Sequence, residues 1–359
     1  MAQKMKYYFN ADTAKRLGDQ LGIDGTEYAT WVAPRVDDLE ILDRVTAQGL
    51  HARLPQDYTA AVHAVVDKLG PELCEGEGYF NHSFHLWPVS RFIELYGLGN
   101  PELSLMAIEA LTRAFTGEWA VRPYLERYPD LTMAKVHAWA KSDSHNVRRL
   151  ASEGIRPRLP WARVHAPYVA DPSPIIPVLD ALVADSSLFV RKSVANNLTH
   201  PDLALETARR WSTTHPTAET KWLIERGVRS LIKQGHPEAL ALAGFVQSDD
   251  VVLRAVDFPD RVAVGDAATL SVELENTGRS AHELLVEYRI HFLKKHGARR
   301  PTVFRVGRFT LAPGETQVVS KSHVFRITGT RTYYPGTQAI SVVVNGVESA
   351  PRQFELTPG

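Results

Sequence analysis

The chain has 359 residues, 44% of them hydrophobic, with 41 Lys plus Arg against 41 Asp plus Glu. That length can bury a core in each of two domains. A single cysteine, Cys74, excludes an intramolecular disulfide framework and any Cys-x-x-Cys metal knuckle, and it reads as a small core residue.

In chain order, the opening MAQKMKYYFNADTAKRL lacks an apolar signal-peptide core, and no apolar run approaches membrane-spanning length. A soluble, cytoplasmic protein is the expectation. His82 and His85 in FNHSFHLWP, with Cys74 upstream, are too few for a closed zinc site and read as structural. There is no His-Glu-x-x-His, no Gly-x-Ser-x-Gly elbow and no phosphate-binding glycine loop.

Residues 101–115, 132–142, 174–186 and 218–235 place apolar side chains at three- and four-residue spacing, with Pro or Asp at several starts, and predict helices. Trp139, Trp211 and Trp222 fall within such patterns as core residues. A Val-Arg pair recurs as Val121-Arg122, Val147-Arg148 and Val190-Arg191, the last two preceded by Asp143 and Asp185. Each pair is predicted to open the second half of a short helix, a pattern associated with HEAT-type helical hairpins. A solenoid of helix pairs offers a concave face on which basic residues of successive repeats line up.

Positive charge concentrates between Ala134 and His165, where seven Lys and Arg meet two acids, Asp143 and Glu153. In a chain of zero net charge this marks either one polyanion-facing surface or a helix face whose counter-charges come from elsewhere. Pro157 and Pro160 disfavour helix in RPRLP, so this connector is predicted to be extended and to project Arg156 and Arg158.

Beyond residue 250 the pattern changes to period two. ATLSVELENTG, LLVEYRIHFL, TQVVSKSHVF and QAISVVVNGVE alternate apolar and polar residues and read as strands. Turn signals at Asn276-Thr-Gly, Ala312-Pro-Gly, Tyr334-Pro-Gly and Asn345-Gly separate them. The predicted architecture is therefore mainly α: a HEAT-like α-solenoid domain over 1–248, followed by an all-β immunoglobulin-like sandwich over 249–359. Lys294, Lys295, Arg299, Arg300, Arg305 and Arg308 surround a predicted hairpin turn at Gly297, as a charged sheet edge or a second phosphate contact.

The blocks LSLMAIEALTRAFTGEWAVRPYLERYP (103–129), HNVRRLASEGIRPRLPWA (145–162) and FVRKSVANNLTHPD (189–202) resemble those of AlkC-type DNA alkylation-repair glycosylases, members of a HEAT-like superfamily shared with AlkD. Some members of that group carry an appended Ig-like domain. Gly117, Trp119, Val121 and Tyr124 depart from the family's Ser, Phe, Ile and Phe, and Thr199-His200 stands where Asn-Asp is expected.

The resemblance implies base excision repair: hydrolysis of the N-glycosidic bond of a cationic alkylated base, 3-methyladenine or 3-methylcytosine, in double-stranded DNA. No cofactor is implied, and a monomer in the bacterial cytoplasm or nucleoid is expected. A carboxylate stabilising an oxocarbenium-like sugar is required, and the candidates are Glu118 and Glu153. The bland readings are a salt bridge from Glu153 to Arg149 or Arg156, and a helix N-terminal acid at Glu118. The indoles of Trp161 and Trp119 are candidates for a cation–π contact with the charged base, worth about 0.5–2 kcal/mol. Arg148, Arg149, Arg156 and Arg158 form the expected phosphate-contacting set, with Arg122 and Asn196 as further DNA-binding candidates; Asn196 and Asn197 also fit a helix end. The rival reading is a non-enzymatic HEAT and Ig-like interaction scaffold.

Overall fold

Sixteen α-helices run to residue 242 among the described residues, and nine strands follow from residue 251. The computed structural model describes residues 8–35, 42–75, 77, 82–294, 297, 299–327 and 332–359, the side chains of 42, 43, 299 and 300 apart. Residues 1–7, Lys295 and the side chains of Arg299 and Arg300 therefore lie outside the described residues. No described helix is long and apolar enough to cross a membrane.

The helices are α1 Ala11–Leu21, α2 Gly25–Val32, α3 Leu42–His51, α4 Tyr58–Val66, α5 Trp87–Tyr96, α6 Pro101–Ala114, α7 Val121–Arg127 and α8 Pro129–Trp139. They continue as α9 His145–Glu153, α10 Ala166–Ala170, α11 Ile176–Leu182, α12 Leu188–Asn197, α13 Pro201–Thr214, α14 Ala218–Gly227, α15 Arg229–Gln234 and α16 Pro237–Leu242. Contacts divide the chain into two compact units, 1–204 with 213–227, and 205–212 with 228–359. The change from helix to strand falls between α16 and β1, whereas the compact division falls earlier and groups α15, α16 and residues 205–212 with the strands.

In the first unit α6 packs on α4 and α9, α9 on α12, and α12 on α14. Val147, Leu150 and Ala151 of α9 and Val190 and Val194 of α12 are at most 1% exposed. Such buried Val and Leu side chains contribute roughly 1.5–3 kcal/mol each. Side-chain oxygens cap the helix starts: Ser144 accepts from the Val147 N–H and Ser187 from the Phe189 N–H, both at 3.2 Å. The helix expected over 218–235 is broken after Gly227. A Cβ there would stand 2.6 Å from Leu198 Cδ1, so a larger residue would push aside the Leu198 side chain at α12's end.

The Val-Arg pairs lie nearer the helix starts than their spacing predicted. Val121 is the first residue of α7, and Val147 and Val190 are the third residues of α9 and α12. The repeated Asp explains the recurrence. Arg148 Nε and Nη2 grip Asp185 at 2.6 and 3.1 Å, and its Nη1 donates to the Ser142 and Asp143 carbonyls at 3.0 and 2.9 Å. Arg191 repeats half of this device, donating to the Asp185 and Ser186 carbonyls at 2.6 and 2.8 Å. Arg113 reaches Asp143 at 2.8 Å in the same sense. Arg148 and Arg191 thus tie down the turns that start their own helices, and Arg148 and Arg113 also reach the Asp at the start of a later helix.

The nine strands are β1 Val251–Asp257, β2 Arg261–Ala263, β3 Ala267–Asn276, β4 His282–Leu293, β5 Arg299–Leu311, β6 Thr316–Val324, β7 Gly336–Val344, β8 Val347–Glu348 and β9 Arg352–Thr357. They form two sheets, β1-β3-β6 and β2-β9-β7-β4-β5 with β8 beside β7, antiparallel except for β2 with β9. Leu270, Val272, Leu274, Tyr288, Ile290, Phe325, Ile340 and Val342 fill one core. The predicted turn at Asn345-Gly346 has φ of 46° and 85° and joins β7 to β8, the geometry that Asn-Gly favours. Asn345 Nδ2 also donates to the Val246 carbonyl at 2.8 Å, tying the segment after α16 to this unit.

Two expected placements differ, those of Trp222 and Cys74. Trp139 and Trp211 are buried as predicted, but Trp222 is 36% exposed, with Arg226 over its ring at 5.7 Å. Cys74 is exposed instead of packed. His85 is buried as a structural residue: its Nε2 meets Gln20 Oε1 at 2.6 Å, and burial, with the Arg16 charge, pushes its pKa down to about 4.

Asp185→Ala removes the carboxylate held by Arg148 and the acceptor for the Ser187 N–H, and is expected to destabilise the helical unit by about 3 kcal/mol in urea unfolding. Asp143→Ala should change the midpoint little, since that side chain is 87% exposed. Equal midpoints for the two variants would contradict the staple.

Candidate active site

The turn after α6 brings Glu118 against the inner face of α9. Gly117 permits this: a Cβ there would lie 2.7 Å from Ile108 Cγ2 and 2.8 Å from Thr112 Oγ1. On α9, Arg149 and Glu153 are one turn apart and share the face that meets Glu118 and α12. Glu118 is 2%, Glu153 6% and Arg149 7% exposed.

Arg149 is the centre of the cluster. Its Nη1 and Nη2 fork onto Glu118 Oε2 and Oε1 at 3.0 and 3.2 Å, its Nη1 also donates to Thr116 Oγ1 at 2.9 Å, and Nη2 lies 3.6 Å from Glu153 Oε1. Its guanidinium sits over the Phe189 ring at 4.9 Å. Glu153 Oε1 accepts from Arg156 Nη1 at 2.5 Å, and Oε2 from the Ser193 hydroxyl at 2.6 Å. Ser152 Oγ stands 2.7 Å from Ser193 Oγ, and Asn197 Nδ2 donates to the Ser152 and Ser193 carbonyls, both at 3.0 Å.

The two carboxylates therefore differ electrically. Burial raises the Glu118 pKa, and the nearby Glu153 charge adds to this against the pull of Arg149. Burial also works to raise Glu153, but Arg149, Arg156 and the Ser193 hydrogen bond outweigh it and hold its pKa below the ordinary glutamate value. Two carboxylates and two guanidiniums are thus paired within one largely buried cluster.

Beyond α9 the connector is non-helical but runs through turns and bends instead of the expected extended backbone, and of the two arginines expected to project from it Arg158 is exposed and Arg156 is half-buried. The other expected phosphate contacts are committed within the chain. Arg148 is held by Asp185, Arg149 by Glu118 and Glu153, and Arg156 by Glu153. Arg122 is buried, 4% exposed; its Nη2 donates to the Arg156 carbonyl, and burial with the Arg156 charge lowers its pKa to about 10. Asn196 is half-buried, and its neighbour Asn197 ends α12.

Trp161 ends the connector 64% exposed and with φ of 61°. A left-handed backbone costs a residue with a Cβ on the order of 1–2 kcal/mol. The bend is held by Ala162 N–H to Leu159 O at 3.2 Å and His165 N–H to Pro157 O at 3.0 Å. Trp119 Nε1 donates to the Pro160 carbonyl at 3.0 Å, and its ring stacks on Trp87 with centroids 4.0 Å apart and planes 8° apart. Trp161 lies 6.1 Å from Trp119 and 6.2 Å from Trp87. Glu118, Glu153, Arg149 and Arg156 are thus brought into one cluster, and Trp119 and Trp161 into a second.

Thr116, Ser193, Phe189 and Trp87 were not singled out in the sequence. Ser193 carried a signal: aligning Val147-Arg148 with Val190-Arg191 sets it against Leu150, a polar residue at a core position. Among the described residues, no group of three or more His, Cys, Asp or Glu could hold a metal ion.

A family profile described as "Uncharacterised protein YhaZ, C-terminal Ig-like domain" matches residues 253–358. The Bacillus subtilis (strain 168) protein YhaZ is 36% identical over 329 residues, covering 90% of this chain and 88% of its own. The Pseudomonas fluorescens alkylpurine DNA glycosylase AlkC, solved bound to DNA containing an abasic-site analogue, superposes with a TM-score of 0.86 at 30% identity, covering 99% of each chain.

The fold stabilises the ionised form of Glu153, so that stability is present above the ordinary carboxylate range and is lost as pH falls through its lowered pKa. Glu118 has the opposite sign: with its pKa raised, stability declines as pH rises towards its folded value. At neutral pH Glu153→Gln is therefore expected to cost about 3 kcal/mol and Glu118→Gln clearly less, the gap closing in acid. Urea unfolding at neutral and acid pH checks this, and a gap independent of pH contradicts it.

Proposed function

This chain belongs to the family that includes AlkC and YhaZ, and on that premise we propose that it is a DNA glycosylase acting in base excision repair on cationic alkylated bases such as 3-methyladenine and 3-methylcytosine. The observation that carries the reading is the buried pair Glu118 and Glu153 on one arginine, in a chain that matches AlkC over nearly its whole length.

A base alkylated at N3 is a cation, so it leaves with the glycosidic electron pair as a neutral molecule and needs no strong general acid. The bond from sugar C1′ to the base nitrogen breaks, an oxocarbenium-like sugar develops, and a water oxygen adds at C1′. That water gives up a proton and leaves an abasic site. Glu153, held ionised by two guanidiniums, suits the electrostatic task of facing the positive sugar. Glu118, whose raised pKa makes it the better base, suits the task of orienting the water and taking its proton. Arg149 holds both carboxylates in register. Double-stranded DNA would lie along the helix pairs, read as HEAT-like, with exposed Arg158 at a phosphate, and the protein would act as a monomer without a cofactor.

Incubation with alkylated DNA and assay of released bases tests the reading. Release of 3-methyladenine or 3-methylcytosine is expected, with Glu118→Gln and Glu153→Gln each lowering the rate by about a hundredfold or more while DNA affinity changes little. No release together with no DNA binding would leave the scaffold reading. Excision requires ionised carboxylates, so its acid limb is expected above the ordinary glutamate range, set by Glu118, and should move to lower pH in the residual activity of Glu118→Gln. A limb that stays in place rejects that assignment. Arg158→Ala should reduce the slope of log affinity against log salt by about one.

A further inference from the structure

Ser193 stands where the repeat calls for an apolar residue. Its counterpart on α9 is Leu150, and both positions are buried, 2% and 0% exposed. A buried hydroxyl loses its hydration and packs little surface, so folding alone favours the leucine. The hydroxyl is directed instead at one carboxylate oxygen, donating to Glu153 Oε2 at 2.6 Å. Behind it Ser152 Oγ lies 2.7 Å away, and the Asn197 amide donates to the carbonyls of both serines at 3.0 Å, which ties α12 to α9 at this point. The acceptor sites of Glu153 are thereby divided. A carboxylate carries about two lone pairs on each oxygen. Oε1 meets Arg156 Nη1 at 2.5 Å and Arg149 Nη2 at 3.6 Å, so both guanidiniums lie on its side. Oε2 has the Ser193 hydroxyl as its partner among the described residues, which leaves it one acceptor site. The other charges that act on Glu153 are Glu118 from the turn after α6 and Arg122 from α7.

We propose that Ser193 is a positioning residue for excision: its hydroxyl fixes the rotation of the Glu153 carboxylate so that Oε2, the oxygen with an open acceptor site, is the one turned to the developing sugar cation. This inference rests on the glycosylase reading for the reaction and on geometry for the contact. A hydroxyl suits the task because it orients without neutralising. A third guanidinium at Oε2 would cancel the negative charge that the sugar must meet, whereas a neutral donor leaves that charge in place and already aimed.

The test compares Ser193→Ala, which removes the donor at almost constant volume, with Ser193→Thr, which keeps it. On duplex DNA carrying 3-methyladenine, Ser193→Ala is expected to lower kcat about tenfold with KM unchanged, and Ser193→Thr to recover most of that rate. Introduced into Glu153→Gln, the alanine substitution should slow the residual reaction no further, because Ser193 acts through the Glu153 charge. Equal losses in the two backgrounds, a loss confined to KM, or equal rates for the alanine and threonine variants overturns the assignment. Urea unfolding checks the contact independently of the reaction. The hydrogen bond stabilises the ionised carboxylate, so its contribution is present above the ordinary carboxylate range and is lost as pH falls through the lowered pKa of Glu153. Ser193→Ala should therefore lower the urea midpoint at neutral pH and approach the parent in acid, and a shift independent of pH overturns the contact. If the parent protein releases no base, the glycosylase reading and the role in excision fall together, while the urea series still decides whether Ser193 holds Glu153.

Discussion

One guanidinium organises this molecule's chemistry. Arg149 is 7% exposed and forks onto Glu118 while standing 3.6 Å from Glu153, so it pairs the charge of Glu118 and shares that of Glu153 with Arg156. The pairing runs both ways, because the arginine needs those carboxylates as well. Its three nearest elements, the turn after α6, α9 itself and the start of α12 through Phe189, must all arrive in register for the charges to cancel. Packing of the helices and charge balance at the site are therefore one constraint.

The same economy governs the scaffold. Of the arginines in the basic run, Arg148 is spent on turns between helices and Arg149 and Arg156 on Glu118 and Glu153, while Arg158 and Arg163 are exposed. Arg113, Arg148 and Arg191 each close onto the Asp-Ser segment that starts a helix, using charge and carbonyl contacts together. Helix starts tied in this way surround the residues proposed as catalytic. Rigidity suits an electrostatic mechanism, in which charges must already be aimed when the sugar becomes positive.

The aromatic cluster follows a different rule. Trp87 and Trp119 are buried and stacked, as core residues should be, but they support an exposed ring on a backbone that resists its own geometry. Stable interior packing here serves a less stable surface element. Such local conflict is where binding function is expected, since nothing in folding rewards it.

Much was legible in the sequence. The period change near residue 250, the turn signals and the helix starts reflect local physics, in which side-chain periodicity and backbone preference act over a few residues. The cluster of Glu153, Arg149 and Arg156 was legible for the same reason, because one helical turn sets their spacing. What only the tertiary structure decided were pairings across distant segments: Glu118 with Arg149, Asp185 with Arg148, Ser193 with Glu153, and Trp87 beneath Trp119. Those partners stand thirty or more residues apart, and no local rule links them. Exposure was likewise undecided for Trp222, Cys74 and the basic run, because it depends on which other elements cover a face. A charge count reads the surplus of a segment, but only the folded chain shows where its counter-charges are.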